Sequence, residues 1–360
     1  MQTPIKTCFM RGGTSRGPFF KASDLPADMA TRDQVLLAVM GSPDRRQIDG
    51  LGGAHPLTSK VGIVSTSTLP GVDLEFLFAQ LQPDKDTVDT TPNCGNMLAA
   101  VVPFALESGL LEARGETSTF RVLTLNTDMQ CDITVATPGG RVEYEGEARI
   151  DGVPGSSSPI TINFLDTAGS VCSGLLPTGK VRDLIDGLEV SCIDNGMPLV
   201  ILRAADVGRT GYESVAEMNA DTELKDRLER LRIACGHAMG LGDVTQRNYP
   251  KMTLVAPPRD GGSLTTRSFI PHVCHDAIGV LAAVTVATAC VLDGSVTEGI
   301  ARVPGGAVRS VSVEHPTGEF SVELELDSAN PQNVTRAALL RTARLIMRGE
   351  VMVPSAVWKG

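Results

Sequence analysis

The sequence predicts an α+β fold of many short strands and few helices, with the order of its parts repeated in the two halves. Three observations point to it. The 37 glycines and 22 prolines punctuate short Val/Ile/Leu/Thr runs, which is the pattern of strands joined by turns. Two helical stretches are apolar around nearly their whole circumference, so each must be wrapped on all sides by protein. A length of 360 residues suits two packed domains better than one.

Taken in order, the strand candidates are residues 5–9, 61–65, 74–79, 120–126, 130–136, 142–145, 188–193, 199–203, 253–256, 308–313 and 320–326. Residues 221–236 read as an amphipathic helix, with Leu224, Leu228, Leu231 and Ile233 set among charges on a surface-covering face. The wrapped helices are 97–106 and 277–292, each ending at a glycine stop, Ser108-Gly109 and Asp293-Gly294. Pro103 should kink the first or remove one of its backbone bonds. In the first half a strand leads to Arg11-Gly12-Gly13-Thr14-Ser15, and a buried helix follows Asn93-Cys94-Gly95-Asn96. In the second, strand 188–193 leads to Asp194-Asn195-Gly196-Met197-Pro198, and a buried helix follows His272-Val273-Cys274-His275. Internal duplication and coincidence among the loops of a Gly-rich chain both stay open at this point.

Composition excludes several classes. With 42% hydrophobic and 21% charged residues the chain can fill its cores, so it is not disordered. A net charge of −10, with no Lys/Arg-dense stretch interleaved with aromatics, argues against nucleic-acid binding. The longest apolar run, 278–292, falls short of the roughly 18 residues a membrane-spanning helix needs, so no membrane association is expected. No export signal is visible in the first twenty residues. The eight cysteines are scattered without a C-x-x-C pair, which predicts reduced thiols and a cytoplasmic location.

Buried helices aim unsatisfied N–H groups at whatever precedes them, so their starts are natural carboxylate sites and a small polyanion is the implied ligand. Cys94 sits at one such start. Most cysteines are inert and buried, but the small neighbours in Cys94-Gly95-Asn96 leave space around this thiol for proton exchange. His272, Cys274 and His275 match no common zinc spacing, so no metal is expected. His275 reads either as a donor to a substrate carboxylate or as a satisfied structural histidine. Arg267 and Ser268 could clamp another carboxylate; Arg16 could too, although loop arginines are most often solvated. Leu176-Pro177-Thr178-Gly179-Lys180 is not a P-loop, no G-x-G-x-x-G opens a helix after a strand, and no serine lies in a G-x-S-x-G elbow.

Ordered motifs run almost end to end: Met10-Arg11-Gly12-Gly13-Thr14-Ser15, Gln47-Ile48-Asp49-Gly50-Leu51-Gly52-Gly53, Leu57-Thr58-Ser59-Lys60-Val61, Asn93-Cys94-Gly95-Asn96, Asp151-Gly152-Val153-Pro154-Gly155, Leu176-Pro177-Thr178-Gly179 and Arg267-Ser268-Phe269-Ile270-Pro271-His272. Through them the chain resembles the PrpF-like family of 2-methylaconitate isomerases and 4-oxalomesaconate isomerases/tautomerases. The resemblance implies the diaminopimelate epimerase-like fold: two pseudo-symmetric lobes, each a β-barrel-like sheet around a central buried helix. Lobe one would cover residues 1–138 with 340–360, including a returning strand at 341–354, and lobe two residues 139–339, with the active site in the cleft between them.

The family's catalytic pair falls on Lys60 and Cys94. Taken alone Lys60 would be a solvated lysine, but its entry into Val61-Gly62-Ile63-Val64 suggests a partly desolvated amine suited to a general base. Substrate contacts are expected from Thr14, Ser15, Gly95, Asn96, Met97, Arg267, Ser268 and His275. Diaminopimelate epimerase uses one cysteine at each buried helix; here the second helix is expected to begin Cys274-His275-Asp276-Ala277, with no Cys-Gly pair, so a two-thiol racemase is disfavoured. The implied activity is a cofactor-independent proton shift in 4-oxalomesaconate, in gallate- or protocatechuate-type aromatic catabolism. Isomerisation of 2-methylaconitate in propionate catabolism, or silent binding of a small anion, are the alternatives. The expected partner is a small polycarboxylate substrate, and a homodimer is left open.

Overall fold

The computed structural model describes residues 1–165, 167–329 and 334–360. The chain divides into two compact units, Met1–Asn163 with Arg341–Gly360, and Phe164–Leu340. Residues 139–163, assigned to the second lobe from sequence, belong to the first unit. The strand expected at 142–145 is irregular backbone. This segment is tied back instead: Ser158 N–H donates to the Tyr144 carbonyl at 3.0 Å, and the Tyr144 hydroxyl donates to Glu107 Oε1 at 3.3 Å.

The first unit is built on a regular alternation of strand pairings. Gln2–Gly12 and Ser15–Lys21 form an antiparallel hairpin. Ser15–Lys21 then pairs in parallel with Lys60–Thr66, which turns back antiparallel onto Leu74–Leu81. Leu74–Leu81 pairs in parallel with Thr117–Thr124, and that strand forms a hairpin with Met129–Ala136. The returning strand Ala343–Pro354 lies antiparallel on Gln2–Gly12.

The second unit repeats the same series. Leu188–Asp194 and Pro198–Arg203 form the hairpin, Lys251–Ala256 adds in parallel, and Leu264–Phe269 returns antiparallel. Val308–His315 adds in parallel and closes antiparallel with Gly318–Leu326. Antiparallel, parallel, antiparallel, parallel, antiparallel is thus the order in both units, which turns the repeat suspected from sequence into a topological one.

A parallel pair cannot be joined by a tight turn, so each needs a crossover, and here each crossover carries a helix. In the first unit these are the outer helix Met29–Met40 and the central pair Gly95–Leu98 and Val101–Glu107. In the second they are the outer helix Thr222–Ala238 and the central helix Val280–Val291. The outer helices start on aspartate caps, Asp28 accepting from Thr31 N–H at 2.9 Å and Asp221 from Leu224 N–H at 3.0 Å. Leu224, Leu228 and Leu231 press onto the second unit's strands, as their spacing predicted.

The central helix of the first unit departs from expectation. It is broken at Ala99–Ala100, one turn before Pro103. Proline has no N–H to donate to the residue four back, which is Ala99, and its ring crowds that carbonyl, so the break falls there while Pro103 itself sits harmlessly in the first turn of Val101–Glu107. In the second unit the helix starts at Val280, with Gly279 at its cap, rather than at 274–277. Both central helices are wrapped: Met97 to Ala105 and Ala282 to Ala289 are buried without a break. Among the described residues no helix is long and apolar enough to cross a membrane.

One buried cation shapes the second unit. Arg232, without exposed surface, holds Glu229 through two hydrogen bonds of 2.6 and 2.8 Å and donates to the carbonyls of Val244, Arg247 and Tyr249 at 3.0 to 3.2 Å. It thereby ties the outer helix to the loop that delivers Lys251. Arg232→Met removes every one of these donors at once. Urea unfolding should show a loss of about 2–4 kcal/mol, and an unchanged midpoint would mean that other contacts carry the loop.

Candidate active site

The hairpin tip Gly12–Ser15 is the floor of the first unit's candidate site. Arg11 pins it, donating through NH1 to the Gly13 carbonyl at 3.0 Å and to the Thr342 hydroxyl at 2.9 Å, while Gly13 N–H donates to the Thr342 carbonyl at 2.8 Å. Gly13 has φ +53°, and a Cβ there would fall 2.1 Å from Asn96 Oδ1. The glycine therefore lets the tip close onto the Asn93-Cys94-Gly95-Asn96 segment. Asn96 Nδ2 completes the contact by donating to Thr14 Oγ1 at 3.0 Å. Ser15 is 2% exposed, and among the described residues its hydroxyl has no hydrogen-bond partner.

Cys94 is the cap residue of Gly95–Leu98, in extended conformation, and is half-buried. Its N–H donates to its neighbour's side chain, Asn93 Oδ1, at 2.8 Å, and its carbonyl accepts from Leu98 N–H at 3.0 Å. With only four residues in that helix, a long macrodipole does not act on the thiol; what remains is the local backbone geometry of one turn. The Met97 side chain is wholly enclosed and packs into the core.

Lys60 opens the strand Lys60–Thr66 and is 8% exposed. Its Nζ donates to Gln80 Oε1 at 2.6 Å and lies 4.9 Å from the centre of the Phe78 ring. Gln80 cannot turn its amide away, because Nε2 is held by the carbonyls of Pro56, Ser59 and Leu81 at 2.8 to 3.2 Å. Among the described residues Lys60 has no carboxylate partner, so a neutral amide fixes the amine without locking it in an ion pair. The loop entering Lys60 closes around the buried Gln47, whose Oε1 accepts from Ala54 N–H and Ser59 Oγ, both at 2.9 Å. This accounts for the Gln47–Gly53 motif as a device for delivering the lysine.

Both candidates hang from the same hairpin. Asn96 closes on Gly13, and four residues further on the Lys60 carbonyl meets Gly17 so closely that a Cβ there would fall 1.7 Å from it. A second tie runs on the other side. Asn93 Nδ2 donates to Thr127 Oγ1 at 3.4 Å, and the adjacent Asn126 bonds the backbone of Phe78 through both its Oδ1 and its Nδ2 at 2.8 Å.

In the second unit Arg267 and Ser268 are both engaged by the protein itself. Arg267, 6% exposed, donates its Nε to the Glu213 carbonyl at 2.6 Å and NH1 to the Thr266 carbonyl at 2.8 Å, so the fork expected to grip a carboxylate braces backbone. Ser268, 1% exposed, shares a 3.2 Å hydrogen bond with Thr253 Oγ1. Both lie on Leu264–Phe269, a strand buried on both faces that polar Thr265-Thr266-Arg267-Ser268 had concealed. Cys274 is buried, and burial pushes its thiol up to about 11, against a smaller opposing effect from Arg267. His275 is half-buried, four residues before the helix cap; its Nδ1 accepts from Ala277 N–H at 2.8 Å. Among the described residues no three His, Cys, Asp or Glu side chains group as metal ligands would.

Sequence reasoning did not single out Gln80, the residue that holds Lys60. Gln80 carried a signal: it is the polar residue that continues the alternate inward positions Leu74, Phe76 and Phe78.

The comparisons with known proteins agree on one family. The pattern described as PrpF protein matches residues 2–354. The chain is 56% identical over 345 residues to the (4E)-oxalomesaconate Delta-isomerase of Novosphingobium sp. (strain KA1), covering 96% of each. It is 52% identical over 359 residues to the 4-oxalomesaconate tautomerase of Pseudomonas putida KT2440, covering 100% of this chain and 99% of that one. The crystal structure of a methylitaconate-delta-isomerase superposes with a TM-score of 0.86 at 34% identity, covering 99% of this chain and 97% of that one.

The Gly17–Lys60 approach is directly testable. Gly17→Ala must push the two parallel strands apart at the lysine, so stability should fall by about 2–3 kcal/mol and turnover should fall with it. A variant with wild-type melting and activity would show that the strands yield there without consequence.

Proposed function

The chain belongs to the PrpF family and has the diaminopimelate epimerase-like fold, and from that premise we propose that it is an isomerase moving a proton in 4-oxalomesaconate. The observation that carries this reading is the Lys60 amine, enclosed, aimed by Gln80 and without a carboxylate partner among the described residues, on the same hairpin that seats Cys94. The names of the two relatives more than half identical to this chain support the choice of substrate over 2-methylaconitate.

The chemistry follows from the substrate class. A C–H adjacent to a keto acid and conjugated with an alkene loses its proton to give a delocalised dienolate, so no cofactor is called for. Lys60, as the neutral amine, takes the allylic proton; Cys94 returns one from its thiol to the far end of the dienolate. Restoring both groups requires only proton exchange with solvent. The reaction belongs to gallate- or protocatechuate-type aromatic breakdown, and the eight free cysteines fit a reducing, cytoplasmic setting.

Loss or shift of the conjugated ultraviolet band of 4-oxalomesaconate on incubation with purified protein tests the activity, with 2-methylaconitate in parallel. No spectral change with either would overturn it. Lys60→Met should abolish both turnover and exchange of the allylic hydrogens in D2O, whereas Cys94→Ser should block turnover more than exchange. Exchange kept in Lys60→Met and lost in Cys94→Ser would reverse the two roles. Turnover should also survive exhaustive EDTA treatment, since proton transfer between these groups needs no Lewis acid; loss of activity restored by one divalent metal would contradict this.

A further inference from the structure

The repeated topology gives every part of the first unit's site a counterpart in the second. Lys60 is the first residue of the strand that adds in parallel after the outer-helix crossover; in the second unit that position is Lys251. Cys94 caps the first turn of the central helix segment; in the second unit the cap is Gly279. The lysine is thus retained while the thiol is replaced by a residue with no side chain. Lys251 Nζ lies 3.9 Å from the point where a Cβ on Gly279 would sit, so the amine stands at the helix cap.

Three features describe what surrounds this amine. Lys251 is half-buried and, among the described residues, makes no hydrogen bond or ion pair, so its charge is partly desolvated and uncompensated. Burial alone lowers it from the ordinary lysine range. Beside it is His275, lowered from the ordinary histidine range first by burial and then by the Lys251 charge. Because its Nδ1 accepts from Ala277 N–H, the neutral ring carries its proton on Nε2, a donor with no partner among the described residues. Gly279 offers no side-chain cap, so the first-turn N–H groups of Val280–Val291 are not satisfied by one. Ammonium, imidazole N–H and backbone N–H are all donors, and no thiol stands at this helix cap as Cys94 does in the first unit.

We propose that Lys251 and His275 form a carboxylate-binding subsite, the non-catalytic counterpart of the Lys60–Cys94 pair, which takes one carboxylate of a small polycarboxylate. The inference rests on the reading of the substrate as a polycarboxylate. It assigns Lys251 to binding, distinct from the proton-moving role of Lys60.

The test compares wild type, Lys251→Met, Lys251→Gln and Lys251→Arg in the full-length chain. Two readouts are used: steady-state kinetics with 4-oxalomesaconate, and calorimetric binding of tricarballylate, a saturated tricarboxylate that cannot be isomerised. Lys251→Met and Lys251→Gln should raise KM and weaken tricarballylate binding by roughly ten- to hundredfold, with kcat within about threefold of wild type. Lys251→Arg keeps the charge and should recover most of both. Unchanged KM and tricarballylate affinity, or no tricarballylate binding by wild type, would overturn the subsite. Loss of kcat at unchanged KM would also overturn it, by making Lys251 a proton-transfer residue. If a neutral variant fails to fold, Lys251→Arg decides: wild-type melting with lost binding defeats the proposal. Failure of wild type to turn over 4-oxalomesaconate would sink the functional reading while the tricarballylate comparison still judges Lys251.

Discussion

The seating of the Lys60 carbonyl against Gly17 is the contact on which the first unit's geometry turns, because it fixes where two parallel strands begin to run side by side. Parallel pairing removes any short route between those strands, so the chain must leave, form the outer helix and return through the loop closed on Gln47. That return places Lys60 at the strand's first position, opposite Gln80 on the neighbouring strand. The amide of Gln80, held by three carbonyls, then aims the ammonium. A polar group anchored by backbone in this way orients the amine without forming an ion pair.

The two central helices carry different electrostatic loads. In the second unit an unbroken twelve-residue helix concentrates its N-terminal donors near Gly279. In the first, Pro103 removes a ladder bond after one turn, so Cys94 caps a short segment. Evenly matched helix ends would favour two similar carboxylate pockets. The ends are unequal, and only the second unit's helix begins with an unbroken run of turns behind it.

Much of the fold could be read from sequence where a single physical rule dominated. Leucines at helical spacing gave Thr222–Ala238, and continuous apolarity gave the wrapped helices. The rule failed where tertiary packing overrode local pattern. Leu264–Phe269 reads as a polar loop because Thr, Arg and Ser are buried there on hydrogen bonds rather than on apolar contact. Met29–Met40 hid behind its apolar run from Val35 to Met40, although Asp28 and Gly41 marked its ends. Lys60 and Cys94 are singled out by motif alone, and the structure hangs both motifs on one hairpin. Arg267 shows a fork suited to carboxylates bonding carbonyls equally well, which residue type alone does not foretell. Lys251 has no motif at all; only the alignment of one strand series on the other singles it out.

The returning strand Ala343–Pro354 lies against Gln2–Gly12, so the first unit is assembled from both ends of the chain, while the second is a continuous stretch. On the ribosome the order of completion is therefore the reverse of the order in sequence. All strands of the second unit have emerged before the last strand of the first exists. The hairpin that seats the catalytic candidates spends synthesis with one edge unpaired, its exposed N–H and C=O groups awaiting the final residues.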